Sequence, residues 1–385
     1  MRIYLDNAAT SWPKPESVYT ASDRWQREIG AASGRGVTRE ANETDRIIAA
    51  TRKSIAQLIG ADEPRRIVFT HNGTDSLNLA LHGLLRPDDH VVTTVCEHNS
   101  VLRPLAWLQR SREISVSVVS CGRSGIVEPD DLRAAITPRT RLLALVHASN
   151  VTGAIQPAEA VGRIAGEHGL LYLLDAAQSL GHIPVDVRRL GCHLLAAPGH
   201  KGLLGPLGTG VLYVSPEAET ELQPVRHGGT GTHSDDENQP AALPERYESG
   251  NLNVPGIAGL GAGVMEVLNH GVATTAGRQT ELTARLLAGL SEIEGATIYG
   301  PSDASQRVGV IGFNLQGWDP QELATLLDSQ WSIQTRAGLH CAPRMHAALR
   351  TMPAGCVRAS FGVFNAEQHV DLLLSALHEL ADVGT

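Results

Sequence analysis

No stretch of this chain reaches the roughly 18 consecutive apolar residues that a membrane-spanning helix requires. Its opening residues, MRIYLDNAATSWPKP, carry no basic patch leading into an apolar segment. Dense runs of lysine or arginine are missing too: the formal charge is −9, from 41 acidic and 32 basic side chains. That removes the electrostatic footprint of a polyanion-binding protein, so nucleic acid is not an expected partner. Cysteine is sparse. Cys96, Cys121, Cys192, Cys341 and Cys356 include no C-x-x-C pair, which argues against a disulfide framework and for reduced thiols. The 16 histidines form no H-E-x-x-H motif. The nearest Cys/His neighbours, His340 and Cys341, are adjacent, an uncommon spacing for two ligands of one ion. A soluble, cytoplasmic protein with no membrane contact and no resident metal is expected.

What the chain does have is a recurrent alternation. Short apolar runs, RIVFT, HVVTTV, ISVSVVS, RLLALVH, LLYLLDA, HLLAA and TGVLYVS, follow one another between residues 66 and 215. Each suits a buried strand, and the intervening TDSLNLALHGLL, EPDDLRAAIT and PAEAVGRIAGEHG suit helices. The pattern predicts an α/β fold, with a mostly parallel seven-stranded sheet flanked by helices. Upstream, Ile47, Ile48, Thr51, Ile55, Leu58 and Ile59 share one helical stripe that Gly60 ends, and this helix is expected on the sheet. Residues 226–256 are rich in Gly, Pro, Asn and acidic side chains and read as a long functional crossing. The expected division is an N-terminal segment, 1–25, packing with a small domain; a large domain, 26–255; and a small α+β C-terminal domain, 256–385, with strands in RVGVIGFNL and VRASFGVF.

Ligands of open α/β sheets sit beyond the carboxyl ends of the strands. After RIVFT come Gly73 and Thr74 at a helix start, which offer backbone N–H groups and a hydroxyl to an anion such as phosphate; an ordinary threonine N-cap is the alternative. HVVTTV leads to His98, and RLLALVH to Asn150. LLYLLDA ends in Asp175 with Gln178 one turn on. A carboxylate there needs a cationic ring nitrogen or an arginine as counterpart, unless it is a structural ion pair or a helix cap. After HLLAA comes Lys201. A partly desolvated amine there loses its proton readily and can condense with an aldehyde to form a Schiff base, whereas an exposed loop lysine would do neither. Gly199, Gly202 and Gly205 are expected to let a bulky cofactor approach the backbone. A Schiff-base lysine, an acid for a pyridinium nitrogen, a phosphate-binding helix start and a stacking histidine together describe a pyridoxal phosphate site.

The chain resembles the class V aminotransferase family of fold-type I pyridoxal phosphate enzymes, and within it the cysteine desulfurase and selenocysteine lyase group. The resemblance is carried in order by YLDNAAT, GTDSLNLAL, EHNSVLRP, HASNVTG, DAAQS, GHKGLLGPLGTG, RYESGNLN, TRAGLHCAP and VRASFGVFN. It implies that Lys201 carries pyridoxal 5'-phosphate and moves the α-proton, that His98 stacks on the ring, and that Asp175 and Gln178 bind its nitrogen and phenolic oxygen. Gly73, Thr74 and His200 would bind the phosphate, joined by Asn251 from a second subunit of a homodimer. Arg358 and Asn150 would bind the substrate carboxylate. Cys341 would receive sulfur from L-cysteine as a persulfide, leaving L-alanine, and pass it to a sulfur-acceptor protein.

Only Ala337 to His340 separate Arg336 from Cys341, so the thiol has little reach. Three residues depart from the family pattern. Pro198 stands where a hydroxyl residue is usual, Asn251 replaces a threonine, and Leu339 replaces a frequent histidine. L-selenocysteine is an alternative substrate, and a C–S lyase or aminotransferase of the same fold would keep Lys201, Asp175 and His98 without needing Cys341. A sulfur carrier that lost the chemistry, or a metal-binding protein, are readings of other classes.

Overall fold

The computed structural model describes residues 2–34, 36–232 and 235–383. Its strands are β1 (Ile3–Tyr4), β2 (Ile67–Thr70), β3 (His90–Thr94), β4 (Ser115–Val119), β5 (Thr140–Val146), β6 (Leu171–Asp175), β7 (Leu194–Pro198), β8 (Gly210–Val214), β9 (Ala296–Tyr299), β10 (Val310–Leu315), β11 (Ile333–Gln334), β12 (Arg336–Gly338) and β13 (Cys356–Ser360). The helices are α1 (Glu16–Arg24), α2 (Arg39–Leu58), α3 (Gly73–Leu84), α4 (Asn99–Ser111), α5 (Pro129–Ala134), α6 (Ala158–Glu167), α7 (Val187–Leu190), α8 (Pro216–Glu221), α9 (Val254–His270), α10 (Val272–Glu292), α11 (Pro320–Trp331), α12 (Pro343–Ala348) and α13 (Glu367–Val383).

All seven apolar runs become strands of one sheet, in the order β2-β8-β7-β6-β5-β3-β4, and only β8 runs against its neighbours. Alternate side chains explain why the runs are apolar throughout. Val68, Val91, Leu142, Leu173, Leu194 and Leu212 face one layer, with Leu77 and Leu81 of α3 and Leu105 of α4. Phe69, Val92, Leu143, Leu174, Leu195 and Val211 face the other, with Val161 and Ile164 of α6 and Ile257 and Leu260 of α9. Each such side chain contributes about 1.5–3 kcal/mol relative to leaving it in water. Parallel strands with helical crossovers put β2, β3, β5, β6 and β7 carboxyl ends at one edge, where the residues singled out by the sequence converge.

A second core joins Leu282, Leu286 and Leu290 of α10 to Ile311, Phe313, Val357 and Ala359 of the antiparallel sheet β12-β13-β10-β9, and to Leu373 and Leu377 of α13. Ile3 and Leu5 belong to it, because β1 pairs with β11. The next element behaves differently: α1 packs on α9, and Ser22 Oγ donates to the Pro255 carbonyl at 2.9 Å.

The helix expected on the sheet shares the sheet's core through Ile48, Ile55 and Ile59, and packs on α9 as well. Thr38 caps α2 by accepting from the Ala41 N–H, and Gly60 follows with a left-handed φ of 67°. Its buried face meets the sheet near β2 and lies close on α9. The close approach to α9 comes from the run of small residues in that helix. A side chain at Gly261 would collide with Thr51 of α2, one at Gly259 with Ser22 and Pro206, and one at Gly263 with the Leu203 carbonyl. Thus α9 packs into the large core and braces the segment that follows Lys201, and the second core begins at α10.

Glu97, just past β3, ties two strand ends together: its Oε1 accepts from Thr94 Oγ1 at 2.8 Å and from the Val146 N–H at 3.1 Å. Its Oε2 is buried without a partner. Burial, outweighing those two hydrogen bonds, pushes this carboxyl up to about 8. A raised carboxyl keeps its proton in the folded state where the unfolded chain has lost it, so its stabilisation is full below about 4.5 and disappears as pH rises towards about 8. In urea titrations of the cofactor-free protein, the stability of wild type relative to Glu97→Gln should fall between pH 5 and pH 8 by up to about 1.4 kcal/mol per pH unit. Parallel stability curves for the two proteins would refute a protonated Glu97.

Candidate active site

A cavity of about 220 Å³ at the strand ends is lined by Gly73, Thr74, His98, Asn150, Asp175, Gln178, His200, Lys201, Cys341 and Arg358. Of the residues named from sequence, it gathers every one except Asn251.

Lys201 lies in the turn after β7. Removal from water pulls its amine down to about 8, although Asp175 opposes the shift. Among the described residues its Nζ makes no hydrogen bond. Asp175 ends β6, is buried and accepts the Ala177 N–H at 3.0 Å. Burial raises its carboxyl, against the pull of that N–H and of Lys201. Gln178 is anchored by donating Nε2 to the Ala8 carbonyl at 2.9 Å.

The Lys201 turn is held from the N-terminal segment. The His200 carbonyl accepts from the Ser11 N–H at 3.0 Å, from the Thr10 and Ser11 hydroxyls at 3.1 and 3.2 Å, and from Lys14 Nζ at 2.8 Å. Ser11 Oγ also donates to the Lys201 carbonyl at 3.0 Å. The glycines around this turn serve packing rather than a cofactor. A side chain at Gly202 would strike the Leu180 carbonyl, one at Gly199 would strike Thr209, and one at Gly205 would meet Leu260.

His98 caps α4. Its Nδ1 accepts the Ser100 N–H at 3.0 Å, which places the ring proton on Nε2. Burial, with help from the Lys201 charge, lowers this imidazole to about 4, so it is neutral at physiological pH. The cap of α3 is Asn72, whose Oδ1 accepts the Asp75 N–H at 2.9 Å; Thr74 is therefore not the cap, and its hydroxyl shares a 2.7 Å hydrogen bond with Ser100. The N–H groups of Gly73 and Thr74, in the first turn of α3, have no partner among the described residues. Pro198 packs against Gly73, where a side chain's Cβ would come within 3.1 Å of the proline ring. The buried Nδ1 of His200 is also without a partner. An anion at the α3 terminus would supply what these groups lack. With Asp175 and the amine of Lys201 lining the same cavity, the donor set fits pyridoxal phosphate.

Arg358 projects from β13 and is almost fully buried. One terminal nitrogen donates to Asp6 Oδ1 at 2.6 Å and the other to the Asn150 carbonyl at 3.0 Å, while Nε has no partner. Asn150 donates Nδ2 to the His340 carbonyl at 2.6 Å, so its amide is partly engaged with the protein itself. Cys341 is exposed at the cavity mouth. The other thiols are placed differently: Cys96, Cys192 and Cys356 are buried, and burial pushes Cys192 and Cys356 to about 12. Cys356 does meet His340 and His346, with ligand-type atoms within 4.8 Å of one another. There, however, His340 Nε2 donates to the Cys356 carbonyl at 3.0 Å, and the Arg358 charge disfavours a divalent cation beside it.

Asn251 does not line this cavity. It is exposed on the long crossing, near His71, Gly208 and Arg226, on the far side of the turn between β2 and α3. Sequence reasoning missed Arg336, which lines the cavity, and Asp6, Lys14 and Glu97, which bond to Arg358, to the Lys201 turn and to the ends of β3 and β5. Asp6 and Glu97 lie inside the YLDNAAT and EHNSVLRP segments, a signal that could have drawn attention to them.

Removing Asp6 would leave the Arg358 guanidinium buried without its counter-charge. Asp6→Ala should lower stability by about 3 kcal/mol, the lower end of the range for a broken buried pair, because Asp6 keeps some exposure. In a urea-denaturation double-mutant cycle, Asp6→Ala with Arg358→Met should lose less than the sum of the single changes; strict additivity would show that the pair is not coupled.

The class V aminotransferase family model matches residues 3–373. A probable cysteine desulfurase of Methanothermobacter thermautotrophicus is 38% identical over an alignment 389 positions long, covering 99% of this chain and 95% of that protein. The apo structure of a cysteine desulfurase from Thermococcus onnurineus superposes with a TM-score of 0.94 at 35% identity, over 99% of this chain and 95% of that one. The Escherichia coli cysteine desulfurase CsdA, in an S-sulfonic acid form, gives 0.90 at 29% identity, over 99% and 95%. With its fold, its strand-end cavity and these likenesses taken together, the chain belongs to the class V aminotransferase family.

Proposed function

We propose that this protein is a pyridoxal 5'-phosphate-dependent cysteine desulfurase that converts L-cysteine to L-alanine and takes the sulfur onto Cys341. The observation that carries this reading is a single one: an exposed cysteine stands at the mouth of the cavity that also holds a desolvated lysine, a buried carboxylate and a buried arginine.

Lys201 would hold the cofactor, Gly73, Thr74 and His200 its phosphate, Asp175 its ring nitrogen and Gln178 its phenolic oxygen, with His98 against the ring. When bound, pyridoxal phosphate supplies an electron sink for charge developing at the substrate's α-carbon. The remaining work falls to the chain. Arg358 grips the carboxylate and sets the amino acid's orientation. Lys201, whose amine lies near neutrality, removes and returns the α-proton. His98, neutral with its proton on Nε2, can hold or pass a proton at that atom.

Cys341 attacks the substrate's sulfur as a thiolate. An S–S bond forms as the Cβ–S bond breaks, the electron pair goes to Cβ, and Cβ takes a proton to become the methyl of alanine. The enzyme is left as a persulfide until an acceptor thiol removes the outer sulfur. We assign the protein to the cytoplasm, where its free thiols stay reduced. We also assign it a homodimeric state in which Asn251 of each subunit serves the other's phosphate site, and an acceptor protein as its partner. No helix among the described residues is long and apolar enough to cross a membrane.

Replacing Cys341 by Ala should cut alanine formation from cysteine on the order of a hundredfold or more while leaving the bound-cofactor absorbance in place. Undiminished alanine would exclude the persulfide route, and pyruvate with sulfide would indicate β-elimination instead.

Only four residues lie between β12 and α12, so the persulfide has little reach. Without a reductant the enzyme should release a burst of about one alanine per site and then slow, and dithiothreitol should raise the later rate. Equal steady rates with and without dithiothreitol would contradict a persulfide retained on this short loop.

A further inference from the structure

Asn150 touches two parts of the site at once. Its backbone carbonyl accepts from Arg358, and its Nδ2 donates to the carbonyl of His340, the residue before the reactive cysteine. It is buried, its Oδ1 has no partner, and it lines the cavity beside Arg358. The segment it holds is unusual. His340 and Cys341 both have positive φ, 47° and 59°, a left-handed backbone that residues with a Cβ keep only when their surroundings fix it.

The fixing bonds can be followed one by one. The His340 ring donates to the Cys356 carbonyl at 3.0 Å, the Asn99 N–H donates to the Cys341 carbonyl at 2.7 Å, and the Ala342 N–H donates to the Leu339 carbonyl at 2.9 Å. The first two contacts tie the turn to the protein, and the third closes the turn on itself. The Asn150 residue links this turn to the guanidinium expected to grip the substrate, its side chain bonding to His340 and its carbonyl to Arg358. An amide nitrogen carries two N–H groups, and one of them remains after the bond to His340 is made.

We propose that Asn150, besides the carboxylate contact that the resemblance implies, is a positioning residue for the Cys341 thiol: the N–H that holds the His340 carbonyl keeps the thiol in register with the substrate. This rests on the desulfurase reading. Losing the amide would then harm sulfur transfer, which needs Cys341 in place, more than it harms α-proton removal, which does not use Cys341.

The test uses holoenzyme with Asn150→Ala and, as a second variant of near-native volume that cannot donate, Asn150→Asp. Two rates are measured at saturating amino acid: alanine production from L-cysteine, and solvent-deuterium exchange of the α-proton of L-alanine followed by NMR. In parallel, iodoacetamide alkylation of Cys341 is timed without substrate. Sulfur transfer should fall at least about tenfold further than exchange, a factor equal to the net worth of one hydrogen bond, and alkylation should change in rate. Equal losses in both reactions with unchanged alkylation would show that Asn150 only binds the carboxylate, and would overturn the proposal. Wild-type enzyme that makes no alanine from cysteine would overturn the desulfurase reading itself, and the proposal with it.

Discussion

Keeping the amine of Lys201 out of water, opposite one buried carboxylate, is the constraint on which the rest of the molecule depends. Either charge alone would be costly in that position. Burial lowers the amine to about 8 and raises Asp175, and each is restrained by the other. The surroundings hold that arrangement rigidly. Strand β6 delivers Asp175 and strand β7 delivers Lys201 as neighbours in a parallel sheet. Ser11, Thr10 and Lys14 converge on the His200 carbonyl from above, and α9, thinned by glycines, supports the following turn. An amine that is pre-desolvated and fixed in direction is suited to forming and exchanging a Schiff base.

The proposed sulfur acceptor lives under opposite conditions. Cys341 is exposed and sits in a short turn, whereas Cys192 and Cys356 are buried thiols that burial holds protonated. The residues proposed for the two chemistries come from two cores. Lys201, Asp175 and His98 rise from the seven-stranded sheet, while Arg358 and Cys341 come from the β12-β13-β10-β9 sheet and its loop. The N-terminal crossing joins them: Asp6 neutralises Arg358, and a few residues later Ser11 and Lys14 hold the Lys201 turn. The site is therefore assembled between cores, and the α/β sheet alone does not complete it.

Much of this was legible in the sequence for a local reason. Strands buried on both faces must be apolar along their whole length, so RIVFT or RLLALVH declare themselves, and the polar residues just beyond them stand out as candidates. Other features had no local signal. Strands β9 and β12 are too short to show a period, and β1 depends on β11, more than 300 residues away. The helix α9 has small residues on several faces, so its pattern did not say which core it would join. Asp6 and Lys14 acquire their roles only from distant partners. Asn251 lies away from the cavity, on the long crossing near His71 and Arg226, and nothing in its local sequence marks that placement. The glycines near Lys201 pointed correctly to close approach, but what approaches is the protein's own backbone and side chains.

The claim that the burial of Lys201 makes it the cofactor-bearing amine is tested most directly by chemical trapping. The protein is reconstituted with pyridoxal phosphate, reduced with borohydride, digested and mapped by mass spectrometry. The account predicts one stable phosphopyridoxyl adduct, on Lys201, even though Lys14 is also drawn down to about 8 by burial. An adduct on Lys14, or no adduct on a protein that is folded, would contradict it.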